Sequence, residues 1–379
     1  MTEERPTPKK RSARKEPAPA PQQATGKQSA RAPHQPTRKQ PASGRKQVLG
    51  ARKQPARILD VAALAGVSLG TASKALNNTG QLSPGTRERV RRAADQLGFV
   101  PDTRGRALQS GRTFTVALLT TDSSGRFSNP IMRGVEDVLS AGELATILCD
   151  TRDDPLREQH YLRSLVARRV DGIVVTGRRT EPRPPIDVPL PTVYALAAST
   201  ARSDTSVIVD ERQGAASVVE HLVGLGRTRI AHVTGPVQHR SAAERAGAVV
   251  DYAGTAFAGE VLFGEWSEQW GRQATDLVLR KHSELDAITC GSDQIARGVT
   301  DRLRELGRSV PDDIAVTGYD NWEVMALASR PPLTSVDLQL EELGRRSAQL
   351  LLESIGGTRH HGTLELPTRL IPRESTLGT

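Results

Sequence analysis

Between Thr113 and Thr317 the chain alternates short apolar runs with amphipathic stretches, and no other feature restricts the fold as much. Thr115–Leu119, Leu144–Cys149, Gly172–Thr176 and Thr192–Leu196 are apolar runs, separated by segments of helical period such as Ile131–Leu139 and Arg157–Arg168. A second set, Ile230–Thr234, Val261–Phe263, Ala287–Cys290 and Ile314–Thr317, is spaced by Gln213–Leu225, Trp270–Lys281 and Gln294–Leu306. Strands that are apolar throughout and followed by helices predict parallel sheets covered on both faces. Two such sets predict two similar lobes. Ligands of open α/β sheets sit beyond the carboxyl ends of the strands, so two facing lobes predict one cleft.

Ahead of this body, Ile58 to Asn77 reads ILDVAALAGVSLGTASKALN, two short helices meeting at a tight turn. Ile58, Val61, Ala62 and Leu64 give the first helix a buried face, Gly66 ends it, and Ser68 caps the second. Val67, Ala72 and Leu76 face back onto the first helix. Outward lie Leu69, Gly70, Thr71, Ser73, Lys74 and Asn77, a small, polar and basic face suited to a DNA major groove. A plain two-helix hairpin satisfies the same pattern. Ser83–Pro84 starts a third helix with Val90, Ala94 and Leu97 at helical spacing, and Gly98 stops it.

The run DVAALAGVSLGTASKALN (60–77), then SPGTRERV (83–90), PDTRGRALQSG (101–111) and, with gaps, the REST of 373–376 resemble the LacI/GalR family of bacterial regulators. The resemblance implies a helix-turn-helix headpiece followed by an α/β, periplasmic-binding-protein-like body of two parallel-sheet lobes. It adds Ser83 and Thr86 to the DNA-contacting set of Ser68, Leu69, Gly70, Thr71, Ser73, Lys74 and Asn77. It also implies that the segment around RGRALQSG is a hinge helix, ordering on DNA and placing Leu108 in the minor groove. A plain linker is the alternative. Asp102, where the family usually has Asn, and Gly105, where it usually has Ala, weaken a phosphate contact and the helix respectively.

The residues just past the strands of the second set carry recognisable chemistry. Trp266, Asp293 and the Gly318-Tyr319-Asp320-Asn321-Trp322 run place an aromatic ring beside carboxylates and amides, a set suited to a pyranose. By the resemblance Trp266 stacks on the ligand, Asp320 holds its hydroxyls and Asp293 belongs to the loop below. Arg245 matches the family's ligand-gripping arginine, with Arg240 as the alternative, because the segment from Arg245 to Gly264 is shorter than usual. Phe127 and Asn129 are candidates from the first lobe, whereas neighbouring Arg126 is expected to be exposed. Trp322 could instead pack the base of the cleft, and Asp320 could merely cap a helix.

The expected organisation is a basic tail at 1–56, a DNA-binding domain at 57–102, a hinge at 103–112 and an effector-binding, dimerising body at 113–379. Cys149 and Cys290 lie in apolar runs and are expected to be buried thiols. The sequence carries no phosphate-loop, dinucleotide or hydrolase signature, so no enzyme, cofactor or metal is expected. No membrane span or secretory signal is expected either, which points to the cytoplasm. Expected partners are double-stranded DNA with a palindromic operator, a small carbohydrate effector and a second copy of the chain, the helix at 129–139 forming part of that interface. A sugar-binding transport protein would lack the headpiece, and an architectural DNA protein would not need Trp266 or Asp320.

The net charge of +9 is unevenly placed: residues 1–57 hold fifteen Lys or Arg against three Glu. The tail is rich in Pro, Gln, Ala and Ser and lacks the apolar side chains that offset ordering entropy. It is either a solubilising or mis-started extension or a polycation that holds phosphates without reading sequence. Deleting residues 1–54 is therefore expected to flatten the plot of log DNA affinity against log salt concentration. Preference for operator over scrambled DNA is expected to stay the same or improve. An unchanged slope in salt-titrated gel shifts rules out lasting phosphate contacts by the tail.

Overall fold

The computed structural model describes residues 56–99, 112–141 and 144–378. The basic tail and most of the hinge segment, with Leu108, lie outside the described residues. The chain divides into two compact units, one ending at Phe99 and the other beginning at Val100.

The first unit holds α1 (Ile58–Ala65), α2 (Leu69–Leu76) and α3 (Pro84–Leu97). Ser68 Oγ accepts from Thr71 N–H and Ser83 Oγ from Thr86 N–H, so both caps read from the sequence form. Gly66 and Gly98 take the left-handed conformation that ends α1 and α3. The axes of α1 and α2 are bent by 102°, the angle of a helix-turn-helix. The apolar stripe of α1 is Ile58, Val61, Ala62 and Ala65, which share the core with Ala72, Ala75, Val90, Ala93 and Ala94. Leu64, expected in that core, is 51% exposed because the i, i+3, i+4, i+7 stripe passes beside it. Leu97 is also partly exposed; the chain turns at Gly98 and Phe99 packs on this core instead.

The second unit has two six-stranded sheets. The first lobe starts with β1 (Thr115–Thr120), α4 (Ser128–Ala141), β2 (Ala145–Asp150), α5 (Pro155–Ala167), β3 (Gly172–Thr176), β4 (Thr192–Ala195) and β5 (Thr205–Val209). The second comprises α6 (Glu211–Gly224), β6 (Ile230–Thr234), α7 (Arg240–Ala253), β7 (Leu262–Phe263), α8 (Glu268–Lys281), β8 (Ala287–Cys290), α9 (Asp293–Glu305), β9 (Ala315–Tyr319), α10 (Glu323–Ala326) and β10 (Thr334–Asp337). The chain then returns to the first lobe for α11 (Leu340–Ile355) and β11 (Gly362–Leu366) and crosses again for β12 (Arg369–Ile371) and α12 (Glu374–Leu377).

The strand orders, β2-β1-β3-β4-β5-β11 and β7-β6-β8-β9-β10-β12, are the same pattern twice. Pairing is parallel throughout except between β10 and β12. The lobes are thus not consecutive in sequence as expected. Crossings at Asp210, Leu338–Gln339 and Pro367–Thr368 interleave them, and side chains tie the crossings together. Gln213 Oε1 accepts from Thr368 N–H at 2.9 Å, and Gln339 Nε2 donates to Pro367 O at 2.9 Å.

Each lobe contains one helix pair in backbone contact. On α4 and α11, a Cβ at Gly134 would overlap the Glu341 carbonyl oxygen, and one at Gly344 that of Ile131. On α8 and α9 the same reciprocity links Gly271 with Ile295 O and Gly298 with Glu268 O. Because the obstacle is backbone rather than a flexible side chain, Gly134→Ala is expected to destabilise the second unit by about 3 kcal/mol. Urea denaturation followed by far-ultraviolet dichroism measures this; a shift of a few tenths would mean the helices separate freely.

Candidate functional site

On α2, Leu69, Gly70, Lys74 and Asn77 are exposed, and Thr71 and Ser73 are half-buried. The hydroxyls of Ser68 and Thr71 lie 2.9 Å apart, as do those of Ser83 and Thr86, so each cap also presents a hydroxyl pair at a helix N-terminus. Arg87 braces the turn between α2 and α3, donating to Asn78 Oδ1 and Gly80 O at 2.7 Å each. That turn and the caps fix the outward face of α2 on a rigid frame.

In the second unit the carboxyl ends of the strands of both lobes surround a cavity of about 320 Å3. Asp122, Arg126 and Phe127 follow β1 and Glu181 follows β3 in the first lobe; from the second come His239 after β6, Trp266 after β7, Ser292 after β8 and Asp320 after β9. Arg245 reaches in from α7 and is 5% exposed. Its guanidinium donates to Glu211 through Nε at 2.7 Å and Nη2 at 2.9 Å, and through Nη1 to Gly291 O at 2.6 Å. It also lies 3.7 Å from the centroid of the Tyr319 ring and 3.4 Å from Asp320 Oδ1. Burial alone would favour a neutral Arg245, but Glu211 and Asp320 outweigh it and hold the pKa above its ordinary value. Arg240, the alternative, pairs with Glu244 one turn along α7 and does not line the cavity.

Trp266 Nε1 donates to His239 Nδ1 at 2.7 Å, and the two rings stack with centroids 6.1 Å apart. The indole passes over Gly235, where a Cβ would collide with it. The loop carrying Phe127 is held by Asp122, whose carboxylate accepts from Phe127 N–H (2.7 Å), Ser128 N–H (2.9 Å) and Ser124 Oγ (2.6 Å). Burial would raise the Asp122 pKa, but these hydrogen bonds bring it below its ordinary value.

The structure corrects several expected positions. Arg126 is not exposed: it donates to Asp320 Oδ2 and, at 3.0 Å, to Gln294 Oε1, and lies 4.6 Å over Trp322. The acids and ring of the facing lobe draw it inward, which the sequence of the loop could not reveal. Trp322 and Asn129 line a larger groove of about 800 Å3 that shares Arg126, Phe127 and Asp320 with the cavity. Asp293, expected among the ligand-binding residues, is completely buried and turned into the protein. Its Oδ2 accepts from Trp322 N–H at 2.6 Å and its Oδ1 from Ser335 Oγ at 2.5 Å, so it positions the 320–322 turn instead of facing the cavity. Sequence reasoning missed Asp122, Glu181, Glu211 and His239. Asp122, Glu181 and His239 lie past strand ends and were open to the rule that found Asp320; Glu211 follows β5, a strand not read from the sequence.

Burial and then the Asp320 carboxylate raise Asp293 to a pKa of about 7, above the ordinary carboxyl value of about 4 in an unfolded chain. The folded state therefore holds a proton that the unfolded chain has lost, and stability conferred by the protonated carboxyl is lost as pH rises from about 4 through 7. Asp293→Asn keeps a carbonyl acceptor for Trp322 N–H and is neutral at every pH. It is expected to show a shallower fall in urea midpoint between pH 5 and pH 8 than the wild type. Parallel curves would exclude a raised pKa at Asp293.

Comparison with known proteins accords with both halves of this geometry. Residues 57–102 match the family model of bacterial regulatory proteins, lacI family, and residues 219–376 match that of a periplasmic binding protein-like domain. The chain is 33% identical over 334 residues to the HTH-type transcriptional regulator CelR of Thermobifida fusca, covering 83% of this chain and 96% of that one. It is 29% identical over 328 residues to catabolite control protein A of Priestia megaterium, covering 84% and 98%. Among solved structures, a CelR–cellobiose complex superposes with a TM-score of 0.58 at 30% identity, over 84% of this chain and 99% of that one. A lac repressor dimer bound to operator and the anti-inducer ONPF gives 0.69 at 26% identity, over 86% and 100%. A reading helix on a three-helix frame, a two-lobed body around one polar cavity, and relatives matched over nearly their whole length place the chain in the lacI family of bacterial transcriptional regulators.

Proposed function

We propose that the chain is a cytoplasmic, homodimeric repressor, not an enzyme, whose affinity for a palindromic operator is set by a neutral carbohydrate in the cavity between the lobes. The observation that carries the ligand reading is a set of buried polar atoms without hydrogen-bond partners around that cavity. They are Thr180 Oγ1, Glu181 Oε2 and Arg126 Nε from the first lobe, with Asp320 Oδ1 of the second lobe making no hydrogen bond but lying 3.4 Å from Arg245. Buried polar atoms are otherwise nearly always paired, and a ligand carrying several hydroxyls supplies donors to carboxylate oxygens at both ends at once. Trp266 offers a flat face for the apolar side of a sugar ring, and Arg245 reinforces Asp320.

In this reading Ser68, Leu69, Gly70, Thr71, Ser73, Lys74, Asn77, Ser83 and Thr86 meet DNA from residues 57–102, Leu108 acts in a hinge at 103–112, and 113–379 form the effector body. Phe127, Arg245, Trp266 and Asp320 meet the sugar, and Trp322 and Asn129 lie at the mouth. A dimer is supported by the lac repressor, a relative solved as a dimer on its operator, and α4 is proposed as part of its interface. Among the described residues no single helix is long and apolar enough to cross a membrane, and a DNA-reading helix needs access to the chromosome.

The test is a thermal-shift screen of neutral mono- and disaccharides, beginning with cellobiose because a relative's complex holds it. A sugar present at a hundred times its dissociation constant is expected to stabilise the protein by about 2.7 kcal/mol. Trp266→Ala is expected to abolish that shift and the sugar's effect on DNA binding while leaving sugar-free DNA affinity nearly unchanged. A panel without any stabilising sugar overturns the carbohydrate reading, and a normal response in the variant makes Trp266 a packing residue.

A further inference from the structure

Two polar contacts join the lobes at the rim of the cavity, and each uses half of a carboxylate. Arg126, in the first lobe's β1–α4 loop, donates to Asp320 Oδ2 and Gln294 Oε1 of the second lobe and stacks on Trp322. Its side chain is 14% exposed, although the loop itself lies at the surface. Elsewhere on the rim, Glu181 of the first lobe accepts from the backbone N–H of Arg240, the first residue of α7 in the second lobe, at 2.8 Å. Helix α7 makes no capping hydrogen bond from its own N-cap residue, because the side chain at that position, His239, accepts from Trp266. Glu181 therefore serves as the N-terminal partner of a helix in the opposite lobe, where both a lone N–H and the helix dipole favour a carboxylate.

Glu181 Oε2 is buried on a cavity-lining residue and has no hydrogen-bond donor, and Asp320 Oδ1, also buried, has the Arg245 guanidinium at 3.4 Å. Each carboxylate is thus held by the opposite lobe through one oxygen, and both residues line the cavity. We infer that Arg126 and Glu181 form a two-point clasp that sets how far the lobes close, and that a ligand in the cavity is enclosed only when the clasp is shut. Rotation of one lobe away from the other breaks both contacts together, since the hydrogen-bond partners of both side chains lie in the opposite lobe. This coupling rests on the cavity being the effector site; the clasp itself does not.

The amide of Arg240 reports on the clasp from a distance. It has no partner within its own helix and does not touch Arg126, so only lobe opening connects the two. In hydrogen–deuterium exchange of the full-length protein with no sugar added, Arg126→Ala is expected to speed exchange in peptides covering residues 238–243 by about tenfold or more. Arg126→Lys keeps the charge near Asp320 but not the planar stack or the second hydrogen bond, and is expected to fall between the wild type and the alanine variant. Urea midpoints add a second reading: Arg126→Ala and Glu181→Ala together are expected to destabilise by less than the sum of their separate effects, because either one alone opens the clasp. Exchange changed only at residues 124–128 and 320–322 in both variants, or strictly additive midpoints, overturns the proposal. Since no sugar enters these measurements, their failure is distinguishable from failure of the carbohydrate reading.

Discussion

The buried guanidinium of Arg245 is the point on which the second lobe's side of the cavity depends. From the second turn of α7 it holds the start of α6 through Glu211, the end of β8 through Gly291 O, and Asp320 and Tyr319 at the end of β9. Taking such a charge out of water is costly, and a single acid seldom compensates for it. Here a two-pronged Glu211 pair, a carbonyl, a second carboxylate and an aromatic face do so together. Tyr319 completes the circuit by donating to Glu211 O at 3.1 Å. The loops that meet a ligand are thus tied to one another before any ligand contact is counted, which is how a site built on strand ends stays in register.

Around that point the protein repeats a scheme. Each lobe has the same strand order, and each has one helix pair pressed to backbone contact by reciprocal glycines. The three crossing segments link the lobes through hydrogen bonds, such as Gln213 with Thr368, and through Leu338, which is buried in an apolar cluster drawn from both lobes. Two bodies joined by three short crossings form the kind of element that a ligand can bias between arrangements. Asp293 contributes by anchoring Trp322 N–H and Ser335, which fixes the unusual positive φ of Asp320 and Asn321 in the turn between them.

The sequence by itself determined the local elements and their class. Caps at Ser68 and Ser83 and stops at Gly66 and Gly98 were legible because each concerns a backbone group and a side chain a few residues away. Continuous apolar runs reported parallel strands covered on both faces, and strand-end position with aromatic and carboxylate chemistry pointed to Trp266 and Asp320. The edge strands β11 and β12 were not legible, since Glu365 and Arg369 interrupt their apolar pattern and β11 pairs with β5, far away in sequence.

Only the tertiary structure decided which side chains share the cavity. Arg126 looked like a surface residue because its partners Asp320, Gln294 and Trp322 are about 170 to 195 positions away and belong to the other lobe. Asp293 looked like a ligand contact because it follows a strand end, a position that does not say which way its carboxylate turns. Glu181 caps α7 across the lobe boundary, an arrangement with no trace in the spacing of either segment. Hydrogen bonds between neighbours are written in local sequence; the direction of a charged side chain is set by whichever opposite charge the folded chain brings within a few ångströms, and that distance exists only after the lobes have formed.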